Sequence, residues 1–138
     1  MEAYGAKVRL VGPQGSGQLM KMANQIAVGI GVLALCESMA FAEKAGLELA
    51  QTLELLGSGA AGSWAFANYG PKILQRDWKP GFSIALQLKD LRYALEAGRA
   101  SGASLPGTEM VAGLLAEMER GGRGQDAIPA LFEALEGV

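Results

Sequence analysis

Four polar side chains interrupt an otherwise apolar run: Gln18, Lys21, Asn24 and Gln25, after which Val28 and Val32 continue the same face. Spacings of three and four place them on one side of a helix, over its first two turns. Amides set beside a lysine on a face bound for burial describe a shared polar cleft, because a buried ammonium or amide without partners is costly. In such a cleft the ammonium is destabilised, and the lysine becomes a candidate general base near neutral pH. The same spacing also fits a lysine at a helix start that points into solvent, and the pattern alone leaves both readings open.

Just upstream, Gly12-Pro13-Gln14-Gly15-Ser16-Gly17 has the setting of a dinucleotide-binding loop, between a strand-like run and a helix. The spacing fails. A G-x-G-x-x-G pattern begun at Gly15 needs glycine where Met20 stands, and Cys36-Glu37 falls inside a helical run rather than at the end of a second strand. These glycines instead permit close packing at a helix start, or let a substrate approach the backbone at Ser16 and Gly17. With no histidine and one cysteine in the chain, histidine-based acid–base or triad chemistry is excluded and no metal site is expected.

The elements that must position these groups are helices. Alanine and leucine dominate, threonine and isoleucine are scarce, and half of the 138 residues are hydrophobic, enough for one domain with its own core. Lys7 to Val11 alternates and then meets Gly12-Pro13, which reads as one short strand. A lone strand lacks a partner, so residues 1–12 are expected to be the remnant of a preceding domain's last strand, with 13–138 forming the helical domain. From Gln18 to about Ala45 the run is helical and apolar on most sides, with Gly46 as its stop. Shorter helices are expected from Glu48 to Leu56 and from Trp64 to Gln75. In the latter Ser63 is the cap and Pro71 a kink or break. A patterned helix follows from Ser83 to Ser101, carrying Leu88, Leu91, Leu95 and Gly98 on one face. Another runs from Pro106 through Met118, and a last one from Ala127 to Leu135 is capped by Asp126. The fold class is therefore all-α, a single bundle of about six helices around one long apolar helix. The uncharged run from Met22 to Cys36 is short, holds Asn24 and Gln25, and reads as a core helix rather than a membrane span. A net charge of -2 offers no basic stripe for nucleic acid. The lone Cys36 in an apolar run points to a reducing, cytoplasmic setting.

Three ordered blocks carry a family resemblance. Gly15-Ser16-Gly17-Gln18-Leu19-Met20-Lys21-Met22-Ala23-Asn24-Gln25 resembles the GxGxxxKxxNQ signature of the β-hydroxyacid dehydrogenases. Ser63-Trp64 through Asn68-Tyr69-Gly70-Pro71 resembles that family's second block. Arg76-Asp77-Trp78-Lys79-Pro80-Gly81-Phe82 followed by Leu88-Lys89-Asp90-Leu91 resembles its third. The resemblance extends over essentially the whole chain and implies the helical C-terminal half of such an enzyme, similar to the 6-phosphogluconate dehydrogenase C-terminal domain. The nucleotide-binding Rossmann domain would be the missing partner.

The resemblance implies a β-hydroxyacid oxidised at its hydroxyl carbon, or the matching semialdehyde reduced, with NAD or NADP as cofactor. Lys21 would be the general base or acid. Ser16, Gly17, Asn24, Gln25 and Trp64 would bind substrate, and Phe82 and Lys89 would meet the cofactor. Trp64 and Phe82 fit equally well as core aromatics, and Asp90 reads as a helix-face charge. Asn24-Gln25, where 6-phosphogluconate dehydrogenases carry histidine and asparagine, argues against a sugar phosphate and is closer to the tartronate semialdehyde reductase branch. The chain is expected to be inactive alone and to form a homo-oligomer. The competing reading is a non-catalytic helical dimerisation module of the same fold.

Overall fold

The computed structural model describes residues 9–137, and among them six α-helices and no strand. Of the expected strand, Lys7 and Val8 lie outside the described residues, and Arg9 to Val11 have no regular structure.

The first helix, α1 (Ser16–Lys44), is 29 residues long, about 43 Å at 1.5 Å per residue. Gly15 precedes it at φ 93, a conformation that favours glycine, and Gly46 follows it at φ 77. By length and composition α1 could cross a membrane, yet half of its most apolar stretch is buried inside this chain. Val32, Leu35, Cys36 and Met39 are almost wholly inaccessible. The other helices pack around this line, and burial pushes the Cys36 thiol up to about 12, which leaves it an inert core residue.

The surrounding helices are delimited by their own chemistry. The second, α2 (Leu49–Ser58), is capped by the Glu48 carboxylate, which accepts from the main-chain N–H groups of Ala50 and Gln51 at 2.9 and 2.6 Å. Those two bonds hold the carboxyl below its usual range. Ser63 caps α3 (Trp64–Gln75) as the sequence predicts, but Pro71 neither breaks nor ends that helix. Beside the proline, Gly70 lies flush against Leu53 of α2, so that a side chain there would overlap the leucine. Ser83 caps α4 (Ile84–Ser101), which Gly102 stops at φ 75. Pro106 opens α5 (Pro106–Met118), which runs on into a turn over Glu119–Arg123 that is kinked at Gly122, where φ is 83.

The expected cap at Asp126 is corrected. Its carboxylate bonds Arg123 at 2.8 Å instead, while its main-chain carbonyl accepts from the N–H of Ile84 at 2.9 Å. The chain then enters a 3-10 turn, Ile128–Ala130, and only afterwards α6 (Leu131–Glu136). The Arg123 guanidinium has taken the carboxylate that a local cap would use, and pairing of the Asp126 carbonyl with the Ile84 N–H fixes the segment on the start of α4. Together with an isolated bridge between Ser83 and Ala127, this pairing ties the last segment to the loop carrying Phe82.

At the far end of α1, Arg76 anchors the C-terminal helix. Its guanidinium grips Glu136 through bonds of 2.7 and 2.6 Å, reaches Glu43 at 3.3 Å, and lies 5.3 Å from the centre of the Phe132 ring. Arg76 draws the Glu136 carboxyl from 4.5 down to about 2, whereas a hydrogen bond shared with Glu136 pushes Glu43 up.

Two outcomes are expected. Leu91 is fully buried between α1 and α4, so Leu91→Ala should lower unfolding stability in urea by about 2–5 kcal/mol. A depressed carboxyl stabilises the fold above its ordinary value, and that contribution is lost as pH falls through the folded value. The difference in Tm between the native chain and Arg76→Ala should therefore hold steady above about pH 5 and close between pH 4.5 and about 2. A difference that does not change across that window would show that the Arg76–Glu136 pair adds nothing.

Candidate active site

The N-terminal turns of α1 and the middle of α4 lie side by side, and their polar residues meet there. Lys21 extends its Nζ to 3.7 Å from the Asp90 Oδ2. That same oxygen accepts a 2.8 Å hydrogen bond from the Gln25 Nε2. Asn24 donates in turn to the Gln25 Oε1 at 3.2 Å. Gln25 is itself buried, and its main-chain carbonyl accepts from the Gln87 Nε2 at 3.1 Å. The arrangement is a short chain of polar contacts, Asn24 to Gln25 to Asp90 to Lys21, ending on an ammonium.

Helical periodicity explains why these particular residues meet. Lys21 and Gln25 are one turn apart on α1, and Gln87 and Asp90 one turn apart on α4. The apolar neighbours on the α4 face, Leu88 and Leu91, are sunk in the core and fix that helix's rotation, so Gln87 and Asp90 turn inward with them. Asp90 is only 12% exposed, whereas the Lys21 side chain is 68% exposed. The lysine buried among amides is thus corrected: the amide at Gln25 is buried, and the lysine reaches outward from it with a carboxylate at its side. Asp90, which sequence reading sets aside as a helix-face charge, is the residue that faces Lys21.

Two clefts open on either side of Gln25. The smaller, about 270 Å³, carries the charged groups and is lined by Gln18, Lys21, Met22, Gln25, Lys89, Asp90 and Tyr93. The larger, about 610 Å³, is mainly apolar and includes Asn24, Gln25, Val28, Trp64, Tyr69 and Phe82 in its walls. Trp64 is 64% exposed and meets Tyr69 edge-on, with ring centres 5.2 Å apart. Phe82 is half-buried in the loop before α4, and its carbonyl accepts from the N–H of Ile128 at 3.2 Å. The sequence left Trp64 and Phe82 divided between pocket and core, and the structure puts both in a cleft wall.

The predicted residues therefore gather in part. Lys21, Gln25 and Lys89 share the polar cleft, while Asn24, Gln25, Trp64 and Phe82 share the apolar one. Ser16 and Gly17, at the exposed start of α1, line neither. Tyr93, three residues beyond Asp90 and four beyond Lys89, follows the helical period and was legible on that ground. Tyr69 carried no such signal, because its place depends on how α3 packs. Directly before the glycine run, Arg9 to Val11 have no regular structure. No group of three or more metal-ligating side chains is placed to hold an ion among the described residues.

Comparison with known proteins places the chain in a family. A family model described as NAD-binding of NADP-dependent 3-hydroxyisobutyrate dehydrogenase matches residues 15–135. The chain is 39% identical, over 94% of its length, to the probable 3-hydroxyisobutyrate dehydrogenase-like 1 of Arabidopsis thaliana, and covers 39% of that protein. It is 37% identical, over 98% of its length, to the 2-hydroxy-3-oxopropionate reductase of Escherichia coli, and covers 46% of it. Among solved structures, 3-hydroxyisobutyrate dehydrogenase from Mycobacterium tuberculosis, described with L-serine, superposes with a TM-score of 0.87 at 28% identity. That superposition covers 97% of this chain and 48% of the other. The chain thus spans less than half the length of each of these proteins. It belongs to the 3-hydroxyisobutyrate dehydrogenase family and has the fold of that family's helical C-terminal domain.

Proposed function

We propose that this chain supplies the acid–base and substrate-binding half of an NAD(P)-dependent 3-hydroxyacid dehydrogenase, acting with a nucleotide-binding Rossmann domain. The observation that carries the proposal is the polar cleft, in which Lys21 stands beside Asp90, and Asp90 is joined through the Gln25 amide to Asn24 in the neighbouring cleft. A soluble helical bundle has no packing need for that cluster, and buried polar groups persist where they have partners and a task.

The residues present fit a nicotinamide nucleotide in one respect. Lys89 lines the polar cleft and, among the described residues, has no ion pair, so its ammonium is free to meet an anionic group. A bound nicotinamide would supply hydride transfer at the hydroxyl carbon. Lys21 would take the hydroxyl proton in oxidation, or give its own proton to the carbonyl oxygen in reduction of a semialdehyde. Asp90 holds the Lys21 chain at the cleft in either direction. Asn24 would hold the substrate hydroxyl or carboxylate, with Gln25 keeping Asn24 and Asp90 in place. Trp64 and Phe82 would line the side away from the charges, excluding water from the reacting carbon. Ser16 and Gly17 would serve substrate only through a surface brought by the partner domain. The free, buried Cys36 fits a cytoplasmic enzyme.

One observation favours a second role alongside the first, assembly into a homo-oligomer. Met20, Ala23, Ala27, Ile30, Ala34, Glu37 and Phe41 follow one another at alternating spacings of three and four, and all are exposed. That is the seam along which one helix packs on another, and it is apolar in six of its seven positions. In the non-catalytic alternative this seam would be the chain's whole function.

Two measurements check these readings. Joined to a nucleotide-binding domain, the chain should oxidise NAD(P)H with tartronate, methylmalonate or succinate semialdehyde, and Lys21→Ala should lower kcat by about 10²-fold or more. Unaltered turnover in Lys21→Ala would leave the dimerisation module as the better account, and ordinary enzyme rates from the isolated chain would contradict the need for a partner domain. In analytical ultracentrifugation, Ala34→Arg should shift the protein to monomer while its helical content is kept. An unchanged sedimentation coefficient would remove the α1 seam as the interface.

A further inference from the structure

We infer that Gln87 is a positioning residue for the acid–base pair: it clamps α1 to α4 at Gln25 and so sets where Asp90 meets Lys21. The inference rests on the functional reading above only for its catalytic consequence; its structural part stands on geometry alone. Gln87 lies on the core face of α4 and is 1% exposed. Its Nε2 donates to the main-chain carbonyl of Gln25 at 3.1 Å, and one turn later on the same helix Asp90 accepts from the side chain of Gln25 at 2.8 Å. Helix α4 therefore holds a single α1 residue by its backbone and by its amide, two contacts that together fix both the slide and the rotation of one helix against the other.

Two further features show that the amide of Gln87 is there for this bond. Its Oε1 is buried and has no hydrogen-bond partner. The small space beside Gln87, walled by Gly29, Val32, Val111 and Leu115 among others, is apolar and has no room for a water molecule. An unbranched apolar side chain would fill the place without stranding an oxygen there. Gly29 is the second feature. A Cβ on it would stand 3.2 Å from the Gln87 Nε2 and 3.4 Å from both methyl carbons of Leu91. Glycine at that turn lets the amide lie against the α1 backbone, so Gly29 and Gln87 form the two sides of one close contact.

A slip at this crossing would carry Asp90 away from Gln25 and Lys21 together, because both reach the same carboxylate oxygen. Gln87 touches neither substrate nor cofactor in this arrangement and acts through Gln25 and Asp90.

The test reads the clamp directly. By NMR of the 138-residue chain, hydrogen exchange of the Gln25 side-chain amide should accelerate about tenfold in Gln87→Met, the scale of one lost hydrogen bond, with the backbone spectrum of α5 and α6 unchanged. Should Gln87→Met fail to fold, Gly29→Ala, which keeps Gln87 but crowds its Nε2, is read in the same way. Native protection of the Gln25 amide in either folded variant would overturn the inference. In the two-domain enzyme, Gln87→Met should lower kcat about tenfold with KM within twofold, a split expected of a displaced acid–base group; unchanged kcat beside a lost Gln25 contact would also overturn the positioning role. A Lys21→Ala enzyme with native turnover would sink the functional reading instead, and the amide measurement would still decide the clamp.

Discussion

The burial of α1 is the constraint on which everything else in this domain depends. A 29-residue helix with apolar residues on most of its sides cannot persist in water by its own hydrogen bonds, and it gains stability only by being covered. Helices α3, α4, α5 and α6 provide that cover along Val32, Leu35, Cys36 and Met39, and α2 closes the flank by packing on α3 through Gly70 and Leu53. Burying each of those side chains contributes on the order of 1.5–3 kcal/mol. The positions of the smaller helices follow from this, since each has one apolar face and α1 is the surface on offer.

The same constraint explains why the chemistry sits at one end. Over its central turns one side of α1 is enclosed by apolar neighbours, and an ammonium on that side would be buried without partners. Over its first turns the cover thins, and polar groups on α1 and α4 meet at the edge of the core, where Asp90 and Gln25 are shielded and Lys21 still reaches water. A hydrogen bond to a charged group at such a boundary is stronger than in bulk water, yet its partners keep a solvated side. The arrangement holds a lysine in a defined direction without the cost of burying it.

The opposite end of α1 is held by charge as well as by apolar area. Arg76, in the left-handed conformation at the end of α3, joins Glu136 and Glu43 and so ties α6 to α1 and α3. Arg123 does similar work between Asp126 and Glu133, and the Trp78 indole N–H donates to Glu133 at 2.7 Å. Exposed pairs taken singly are weak. Here they share partners, so each side chain ordered by one bond is already in place for the next. This lattice holds the loop from Asp77 to Ser83, and through it Phe82 at the wall of the apolar cleft.

Much of this protein is determined by sequence alone. The six helices, the serine cap at Ser63, the glycine stop at Gly46, and the polar stripe from Gln18 to Gln25 are set within a few residues of each other along the chain, and local pattern exposes them. The motif blocks also place the chain in its family without any coordinates. What only the tertiary structure decided is which residues from different helices face one another. Asp90 reads as an ordinary helix-face charge until the crossing of α1 and α4 brings it to Lys21. Gln87 reads as one more polar residue until its amide is seen against the backbone of Gln25, and the capping role expected of Asp126 gives way to a bond between its carboxylate and Arg123. Helical spacing states which side chains share a face, but the slide and rotation between two helices come from the packing of Gly29 against Gln87 and Leu91, and that contact joins residues some sixty positions apart.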